Sequence, residues 1–398
     1  MKPLNITFFG FAPLTYGGGY EIYIMEIIQN LLKSGHNINV ITGNQSINDI
    51  ESVIVFQKLL EKRIPKDEIN KKFNHVRFYQ YGLTSFIPSS QSYNRLRRVI
   101  KKSDIIYTRN EIIDFLSIQY FSGKKTPPIV CGIHTSIYYP FRKSFVSKLH
   151  NFIYKKSWYG KLLNRSSIII TQNYFDTRLI STKYNIDKSK IIRLLPFVNT
   201  SFFLPHKSEN HEGLRVLFVG RLTEQKGIDI LSKSIEKLSV DPIFNKITFT
   251  IIGSGELEYL IKRLAKKYSN VRFLGFMDID KLVELYNSHD VVILPSRWET
   301  ALKVVLEAQS CGLPVIVSNI PGPNELIIPE KTGFLIRPAS SNDLTNKLLR
   351  MYNIKQNKHL FLIMKKLARK NAEKFSAESV IKKIEDLFFR LSSGINES

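Results

Sequence analysis

The chain alternates short apolar runs with amphipathic runs, and this alternation constrains its fold more than any other feature. The first apolar run, 5–11, leads through a Gly-rich turn into a stretch with helical periodicity at 20–33. Strands that alternate with helices are typical of parallel sheets covered by helices on both faces. The other strand-like runs of this half lie at 37–42, 75–81, 104–108, 129–133, 167–173 and 190–196.

The same pattern starts again after 197–214, a polar and irregular stretch that we predict to be an interdomain linker. Neither Pro nor Gly interrupts 339–393, so two or three helices are predicted to close the chain. We therefore predict an α/β protein of two Rossmann-like, doubly wound domains that face each other across a ligand-binding cleft. Strand-like runs of the second half lie at 215–220, 248–253, 271–276, 291–295, 314–319 and 333–338, with helices at about 226–238, 256–268 and 279–288.

The chain carries 58 basic and 34 acidic residues, a formal net charge of +24. Both a general bias toward Lys, Ile and Asn and a negatively charged partner explain such an excess. The stretch 141–165 favours the partner, because it contains basic and aromatic residues but no acid. We predict that it contacts an anionic membrane surface; a solvated helix with buried aromatics is the alternative. A second basic group comprises Arg95, Arg97, Arg98, Lys101 and Lys102.

Several classes of protein are disfavoured by what the sequence lacks. No DNA- or RNA-binding module is recognisable, so nucleic acid is not an expected partner. No apolar run reaches 18 residues, and the N-terminus resembles a first strand more than a signal peptide. Cys131 and Cys311 lie in or beside apolar segments, as expected of buried thiols in a reducing compartment, and no Cys or His spacing suits a metal. We predict a cytoplasmic protein, peripheral on the inner face of the membrane.

Glu299 and Glu307 lie on either side of the start of a predicted helix, between two apolar strand-like runs. Glu299 is placed in the turn that enters the helix, and Glu307 about two turns along it. Such turns bind ligands at the carboxyl edge of a parallel sheet, where a helix N-terminus offers N–H groups to an anion. The arrangement suits a ligand with hydroxyls at both ends and phosphates between, which describes a sugar nucleotide. Two glutamates on a solvated face are the alternative.

Other strand ends carry residues suited to an anionic ligand. Gly18, within a run of three glycines, allows close backbone approach, but the run is not G-x-G-x-x-G, so a nicotinamide dinucleotide is not expected. Arg221 follows a predicted strand and Lys226 opens the next helix, a pair that can hold a diphosphate. Gly253 could line the same site or simply form its turn. His134, just past another strand, could bond a sugar hydroxyl or a phosphate, or serve as a structural hydrogen-bonding group; Arg109 is a weaker candidate of the same kind.

The segments GGGYE, VGRLTEQKG, IIGSGE, VRFLGFM, VVILPSRWET followed by VLEAQSCGLPVIVSN, and ELI followed by KTGFLIRP occur in this order. Together they resemble the family 4 retaining glycosyltransferases of GT-B fold, from about residue 5 to residue 340. The resemblance implies an acceptor-side domain at 1–197 and a donor-binding domain at 198–374, with a C-terminal helix at about 375–398 packed back on the first. It implies transfer of a hexose, with retention, from a nucleoside-diphosphate sugar to a glycan or glycolipid acceptor. Glycolipid, lipid-linked oligosaccharide or surface polysaccharide synthesis would use such a reaction.

Carried over from that family, Arg221 and Lys226 would bind the donor diphosphate and stabilise the leaving group. Glu307 would hold the ribose hydroxyls, and Glu299 would bond hydroxyls of the donor sugar. The resemblance also implies that no metal and no cofactor are needed, because protein cations neutralise the leaving phosphates; the sequence has no Asp-x-Asp pair for a metal.

The remaining carried-over roles concern backbone amides and the first domain. Amides around Leu302, Lys303 and Val304 would contact sugar or phosphate. His134 would face the donor sugar near the reaction centre, and Gly18 would lie close to the diphosphate. These five positions and Gly253 complete the predicted site.

This sequence departs from the family pattern next to the first glutamate. Thr300-Ala301-Leu302 stands where relatives often carry Gly-Phe-Gly, which affects the expected loop geometry and sugar specificity. Thr135 follows His134 where many relatives have Asp or Gly. Two alternatives remain open: a soluble transferase with a small sugar or glucan acceptor, and a catalytically inactive sugar-nucleotide-binding protein.

Overall fold

The chain forms two compact units, each built on one sheet. The first comprises Met1–Leu194 and Val380–Ser398, and the second comprises Leu195–Ser379. The computed structural model describes residues 2–10, 19–44, 71–81, 85–86, 90–123, 125–134, 152–206, 211–300 and 302–394.

The sheet of the first unit has eight strands in the order β4-β3-β2-β1-β5-β6-β7-β8. All neighbours pair in parallel except β3 and β4, which are antiparallel. Because β1 pairs with β2 on one side and β5 on the other, the strand order reverses at β1, and this is the point where open α/β sheets bind ligands. The strands are β1 (Asn5–Phe9), β2 (Asn37–Asn44), β3 (Phe73–Tyr81), β4 (Ser85–Phe86), β5 (Ile105–Arg109), β6 (Ile129–Gly132), β7 (Ile168–Thr171) and β8 (Ile191–Arg193).

The second sheet has six parallel strands in the order β11-β10-β9-β12-β13-β14, which reverses at β9 in the same way. Its central strands are fully buried apolar runs, as parallel strands covered on both faces require. The strands are β9 (Leu214–Val219), β10 (Ile247–Ile252), β11 (Val271–Gly275), β12 (Val291–Leu294), β13 (Val315–Ser318) and β14 (Gly333–Ile336).

Helices connect the strands in both units. Those of the first half are α1 (Gly19–Lys33), α2 (Ser90–Lys102), α3 (Ile112–Ser122), α4 (Ser157–Leu163) and α5 (Tyr174–Lys183). Those of the second half are α6 (Ile228–Leu238), α7 (Glu258–Lys267), α8 (Ile279–Ser288) and α9 (Lys303–Ser310). The chain ends with α10 (Ser341–Gln356), α11 (Lys358–Glu373) and α12 (Ala377–Ser392). Among the described residues, no helix combines the length and the apolar character that crossing a membrane requires.

Helix α12 packs within the first unit, although it comes last in the chain. The Nε2 atom of His36 lies 2.8 Å from Oε1 of Glu385. The buried ring of Phe388 lies 6.3 Å, centroid to centroid, from that of Tyr107 on β5. A histidine bond and an aromatic contact therefore tie the end of the chain to the first sheet.

The secondary structure follows the predicted pattern closely, and each strand-like run of the sequence coincides with a strand. The two-residue β4 has no apolar run and was not predicted, because its pairing with β3 comes from a local reversal of the chain. The predicted linker 197–214 differs more. Val198 pairs with Ser376, and Phe197 and Phe203 are buried, so the start of this segment belongs to the core of the second unit.

Candidate active site

Two loops meet at the carboxyl edge of the second sheet. One follows β9 and spans 220–227; the other follows β12 and spans 295–300. Since β9 and β12 are paired neighbours at the point where strand order reverses, residues far apart in sequence come into contact here. Arg221, Lys226 and Glu299, all predicted site residues, lie on these two loops.

Lys226 and Glu299 form an ion pair. The Nζ atom of Lys226 donates to Oε1 of Glu299 over 2.5 Å, and the glutamate is buried. The sequence predicted both residues for the site without predicting that they touch. An ammonium group has three N–H donors, so Lys226 can bind Glu299 and still donate to a ligand.

Arg221 is exposed at the same edge, and its guanidinium is hydrogen-bonded to an uncharged side chain. Its Nη2 atom donates to Oε1 of Gln225 over 3.2 Å. Among the described ion pairs, none includes Arg221, whereas Lys226 is paired with Glu299. The site therefore presents a positive charge that an anionic ligand can balance.

Arg297, on the 295–300 loop, is hydrogen-bonded to the 220–227 loop and to the start of α6. Its guanidinium donates two parallel bonds of 2.6 Å to the carboxylate of Asp229, in the first turn of α6. It also donates to the carbonyl oxygen of Glu224 over 2.8 Å. Burial opposes ionisation of Asp229, but the hydrogen bonds and charge of Arg297 outweigh it and lower the pKa of Asp229. The bidentate pair holds the start of α6 against the 295–300 loop.

Two glycines allow the backbones at this edge to approach closely. Gly227 has φ of 71°, and a Cβ atom there would lie 2.1 Å from the carbonyl oxygen of Pro295. At Gly253 a Cβ atom would lie 1.9 Å from the carbonyl oxygen of Gly220. A Cβ atom at either position would clash with main-chain oxygen, so glycine is required at both. Gly253 therefore has a packing role, and its contact with the donor stays a prediction.

Glu307 lies in the second turn of α9 and is buried. The hydroxyl of Tyr286, from α8, donates to its Oε2 atom over 2.9 Å. Burial, together with the negative charge of Glu307, raises the pKa of Tyr286 well above its usual value, so the phenol remains a donor. Tyr286 thus fixes the orientation of the carboxylate that was predicted to hold a ribose.

The start of α9 places the predicted amide donors. Helix α9 begins at Lys303, and no described side chain caps it at Leu302. The first amides of a helix have no partner within it, which makes this end suited to an anion. Leu302 has φ of −130°, a value open to any residue, so its replacement of a glycine strains nothing at this position. The Lys303 ammonium lies 5.5 Å from the centroid of the Phe197 ring.

His134 lies in the first unit, directly after β6. Its Nε2 atom is 2.6 Å from the hydroxyl of Tyr107, and its ring centroid is 5.0 Å from that of Tyr23. Burial, opposed by a hydrogen bond with the Gln172 side chain, lowers the pKa of His134 to about 3. The imidazole is neutral at physiological pH and bonded to neighbours on its own sheet. Its contact with a sugar remains a prediction.

Arg109, the weaker candidate, ends β5 in the first unit. Its Nε atom lies 3.5 Å from Oδ2 of the fully buried Asp114. A Cβ atom on Gly10 would lie 3.3 Å from the same Nε atom, so the guanidinium lies beside the end of β1. Gly18 and the first part of the basic stretch, residues 141–151, lie outside the described residues.

Sequence reasoning missed the residues that hold the site together. Gln225 and Arg297 lie inside segments that carry the family resemblance, but no role was predicted for them, nor for Asp229 and Tyr286. Their partners lie up to 73 residues away, so only the strand order reveals them. Among the described residues, no group of three or more His, Cys, Asp or Glu side chains could hold a metal ion.

Comparison with known proteins agrees with this geometry. The family model for glycosyl transferases group 1 matches residues 202–374, and the model for glycosyltransferase family 4 matches residues 17–202. The chain is 39% identical over 133 residues to an uncharacterized glycosyltransferase of Methanocaldococcus jannaschii, a match that spans 32% of this chain and only 33% of that relative.

Two longer matches extend over most of the chain. It is 27% identical over 322 residues to the UDP-Gal:alpha-D-GlcNAc-diphosphoundecaprenol alpha-1,3-galactosyltransferase of Escherichia coli, covering 76% of this chain and 80% of that one. The crystal structure of Anabaena HepE in complex with UDP superposes with a TM-score of 0.72 at 18% identity, covering 96% of this chain and 99% of HepE. At that identity the likeness to HepE shows the fold alone. The two family models, which together span 17–374, and the two doubly wound units show that this chain belongs to the glycosyltransferases and has the GT-B fold.

Proposed function

We propose that this chain transfers a hexose from a nucleoside-diphosphate sugar to an acceptor hydroxyl, with retention of the anomeric configuration. The observation that carries the proposal is the joining of Arg221, Lys226 and Glu299 at one edge of the second sheet. The carboxyl edge where strand order reverses is the ligand-binding edge of such sheets.

The diphosphate is assigned to Arg221 and Lys226. When the bond between the sugar carbon and the diphosphate oxygen breaks, negative charge grows on the leaving group. Two cations already in place stabilise that charge more than they stabilise the intact donor, which accelerates the reaction. With these cations present, we propose that the reaction needs no metal and no cofactor.

The two glutamates and the start of α9 are assigned to the hydroxyl-bearing parts of the donor. Glu307, oriented by Tyr286, suits the ribose hydroxyls. Glu299, held by Lys226, suits hydroxyls of the transferred sugar. The amides at 302–304 suit a phosphate or sugar oxygen. The acceptor oxygen then bonds to the sugar carbon from the face that the diphosphate leaves, which retains the configuration, and the acceptor proton passes to the departing diphosphate oxygen.

We propose that the acceptor is a glycolipid or a lipid-linked glycan. The name of the Escherichia coli relative states a UDP-galactose donor and an acceptor on diphosphoundecaprenol. A transferase that extends such an acceptor works at a membrane surface, and the first unit carries a surface suited to one.

That surface is formed by α2, α3 and residues 152–165. Tyr93 of α2 contacts Tyr120 of α3, with ring centroids 5.8 Å apart, and Arg165 donates to Gln119 of α3. The only acid within these three segments is Asp114, which is fully buried. Their exposed basic residues are Arg95, Arg97, Arg98, Lys101, Lys102, Lys155, Lys156, Lys161 and Arg165.

An apolar stripe runs along the outer side of α3, between the basic segments. Ile113, Leu116 and Tyr120 follow each other at helical spacing and are exposed by 50%, 52% and 67%. Trp158, on α4, is exposed by 44%. Apolar side chains surrounded by cations match the boundary between anionic headgroups and acyl chains. We place this surface on the cytoplasmic leaflet, since both cysteines are buried thiols, as a reducing compartment allows.

A transfer assay tests the proposal. Purified chain is incubated with each labelled nucleotide sugar and either a membrane lipid extract or a panel of water-soluble sugars and glucans. Labelled sugar in the lipid fraction supports the proposal, and the NMR coupling constant of the new linkage decides between retention and inversion. Transfer to water-soluble sugars alone would replace the lipid acceptor by a soluble one. Binding of a donor without transfer to any acceptor would instead indicate a sugar-nucleotide-binding protein.

A further inference from the structure

Gln225 lies on the 220–227 loop and makes three hydrogen bonds, two of which reach the 295–300 loop. Its main-chain oxygen accepts the N–H of Arg297 over 2.8 Å. Its side-chain Nε2 donates to the carbonyl oxygen of Trp298 over 3.2 Å, and its Oε1 accepts from Arg221 over 3.2 Å. The amide group of this residue is therefore fixed at one end by the 295–300 loop and binds Arg221 at the other.

Arg221 needs such a partner because its side chain is long and exposed. A guanidinium that samples many rotamers must lose that freedom when it binds a ligand, and the loss weakens binding. A bond to a fixed acceptor reduces the loss and leaves most of the five N–H donors of arginine for the ligand.

We infer that Gln225 is a positioning residue that holds the Arg221 guanidinium for the donor diphosphate and links it to the loop that bears Glu299. The inference rests on the proposed role of Arg221 in donor binding. Gln225 connects Arg221 with the main chain of Trp298. The next residue, Glu299, binds Lys226 through its carboxylate. The positions of both cations are thus fixed relative to the 295–300 loop.

The chemistry favours glutamine over glutamate at this position. A carboxylate would still accept from Arg221, but it has no N–H to donate to the carbonyl oxygen of Trp298. It would also neutralise the positive charge that attracts the diphosphate. A neutral side chain with one acceptor and one donor meets both requirements.

A double-mutant cycle tests the inference. The wild type, Gln225→Ala, Arg221→Ala and the double variant are compared by calorimetric binding of the nucleoside diphosphate and by kcat and KM for its release from the donor. Gln225→Ala is expected to weaken diphosphate binding and raise KM about tenfold, the effect of losing a hydrogen bond to a charged group. In the Arg221→Ala background the same change is expected to have no further effect, because Gln225 acts through Arg221.

Two further variants separate positioning from a general structural role. Gln225→Glu keeps an acceptor for Arg221 but loses the N–H to Trp298 and neutralises the positive charge, so it is expected to weaken binding, and wild-type affinity would overturn the inference. Gln356→Ala, at an exposed glutamine at the end of α10, is the matched control and is expected to change neither binding nor KM. Circular dichroism confirms that each variant is folded.

Losses that multiply in the double variant would overturn the inference, and so would an unchanged KM in Gln225→Ala. Arg221→Ala with wild-type affinity would remove its premise while leaving transfer itself intact. A wild-type chain that neither binds nor releases a nucleoside diphosphate would overturn the proposed function, and the inference with it.

Discussion

The ammonium nitrogen of Lys226 lies 2.5 Å from a carboxylate oxygen of Glu299, although 73 residues separate them in the chain. The contact exists because β9 and β12 are neighbours at the point where the strand order of the second sheet reverses. A cation suited to a diphosphate and a carboxylate suited to a sugar are thereby held at a fixed distance. The donor would span both groups, with its leaving bond between them.

The contact of Gly227 with Pro295 should make glycine obligatory at 227. Gly227→Ala would place a Cβ atom 2.1 Å from the Pro295 carbonyl oxygen in a left-handed conformation. The backbone must shift, which we expect to lower the free energy of unfolding by about 1–3 kcal/mol and to displace Lys226. Urea unfolding followed by circular dichroism measures the change.

Gly35→Ala is the control for this prediction. Gly35, just after helix α1, also has a positive φ, of 94°, but nothing lies within 4 Å of its Cβ position. The control carries the strain of a positive φ without the close approach, so Gly227→Ala must destabilise more than Gly35→Ala. Equal losses would show that the close approach to Pro295 is unimportant.

The environment of His134 predicts a specific pH dependence of stability. Burial lowers the pKa of His134 in the folded chain to about 3, against 6.5 for an exposed histidine. Between these values the unfolded chain binds the proton more strongly, so the contribution of the neutral imidazole is complete above pH 6.5 and is lost as the pH falls toward 3. The difference in melting temperature between the wild type and His134→Gln should therefore shrink from pH 7 to pH 4. A difference that stays constant over this range would refute the depressed pKa.

Metal removal should leave the reaction unchanged. In the proposed function, Arg221 and Lys226 supply positive charge at the diphosphate, which is the role that a divalent ion plays in metal-dependent transferases. After treatment with EDTA, release of nucleoside diphosphate should continue at the rate of the untreated chain. A loss of activity that magnesium or manganese restores would contradict this assignment.

The apolar stripe of α3 should control membrane binding. Replacing Ile113 and Leu116 by serine removes two exposed apolar side chains without touching a cation, so we expect less chain to float with anionic liposomes. The fraction bound to phosphatidylglycerol vesicles measures the effect, with zwitterionic vesicles expected to bind little in every case.

The control for the stripe is Leu360→Ser with Ile363→Ser on α11. These residues have the same spacing, and their exposures, 43% and 41%, are similar to those of Ile113 and Leu116. The control should bind like the wild type. If the α3 changes leave flotation unaffected, or if the α11 changes reduce it equally, then α3 is not the membrane-binding element.

Local sequence patterns predicted the elements of both units because a buried parallel strand is an unbroken apolar run and a covering helix has a 3.6-residue period. They also predicted the positions of Arg221, Lys226, Glu299 and Glu307, since each lies in or just after the turn that follows a recognisable strand. What joins these residues was not predictable in this way. The contacts of Gln225 and Arg297 depend on which strands are neighbours, and many strand orders are compatible with the same local pattern.

Two local details also required the structure. The replacement of glycine by Leu302 predicted a disturbed loop, but φ at Leu302 is negative, so the glycine of other chains is not needed for a left-handed angle at this position. His134 was predicted from its place after a strand, whereas its bonds to Tyr107 and Gln172 come from neighbouring strands of the same sheet. A strand end therefore identified the residue without identifying its partners.

The most direct test of donor use is release of nucleoside diphosphate by the purified chain over a panel of nucleotide sugars. We predict release from one donor, increased by membrane lipid extract. Glu307→Gln, which keeps the shape of the side chain but removes its charge, should weaken donor binding about tenfold or more, because hydrogen bonds to a charged group are among the strongest in proteins. Release from no donor, together with no change of melting temperature on adding any nucleoside diphosphate, would contradict the proposed function.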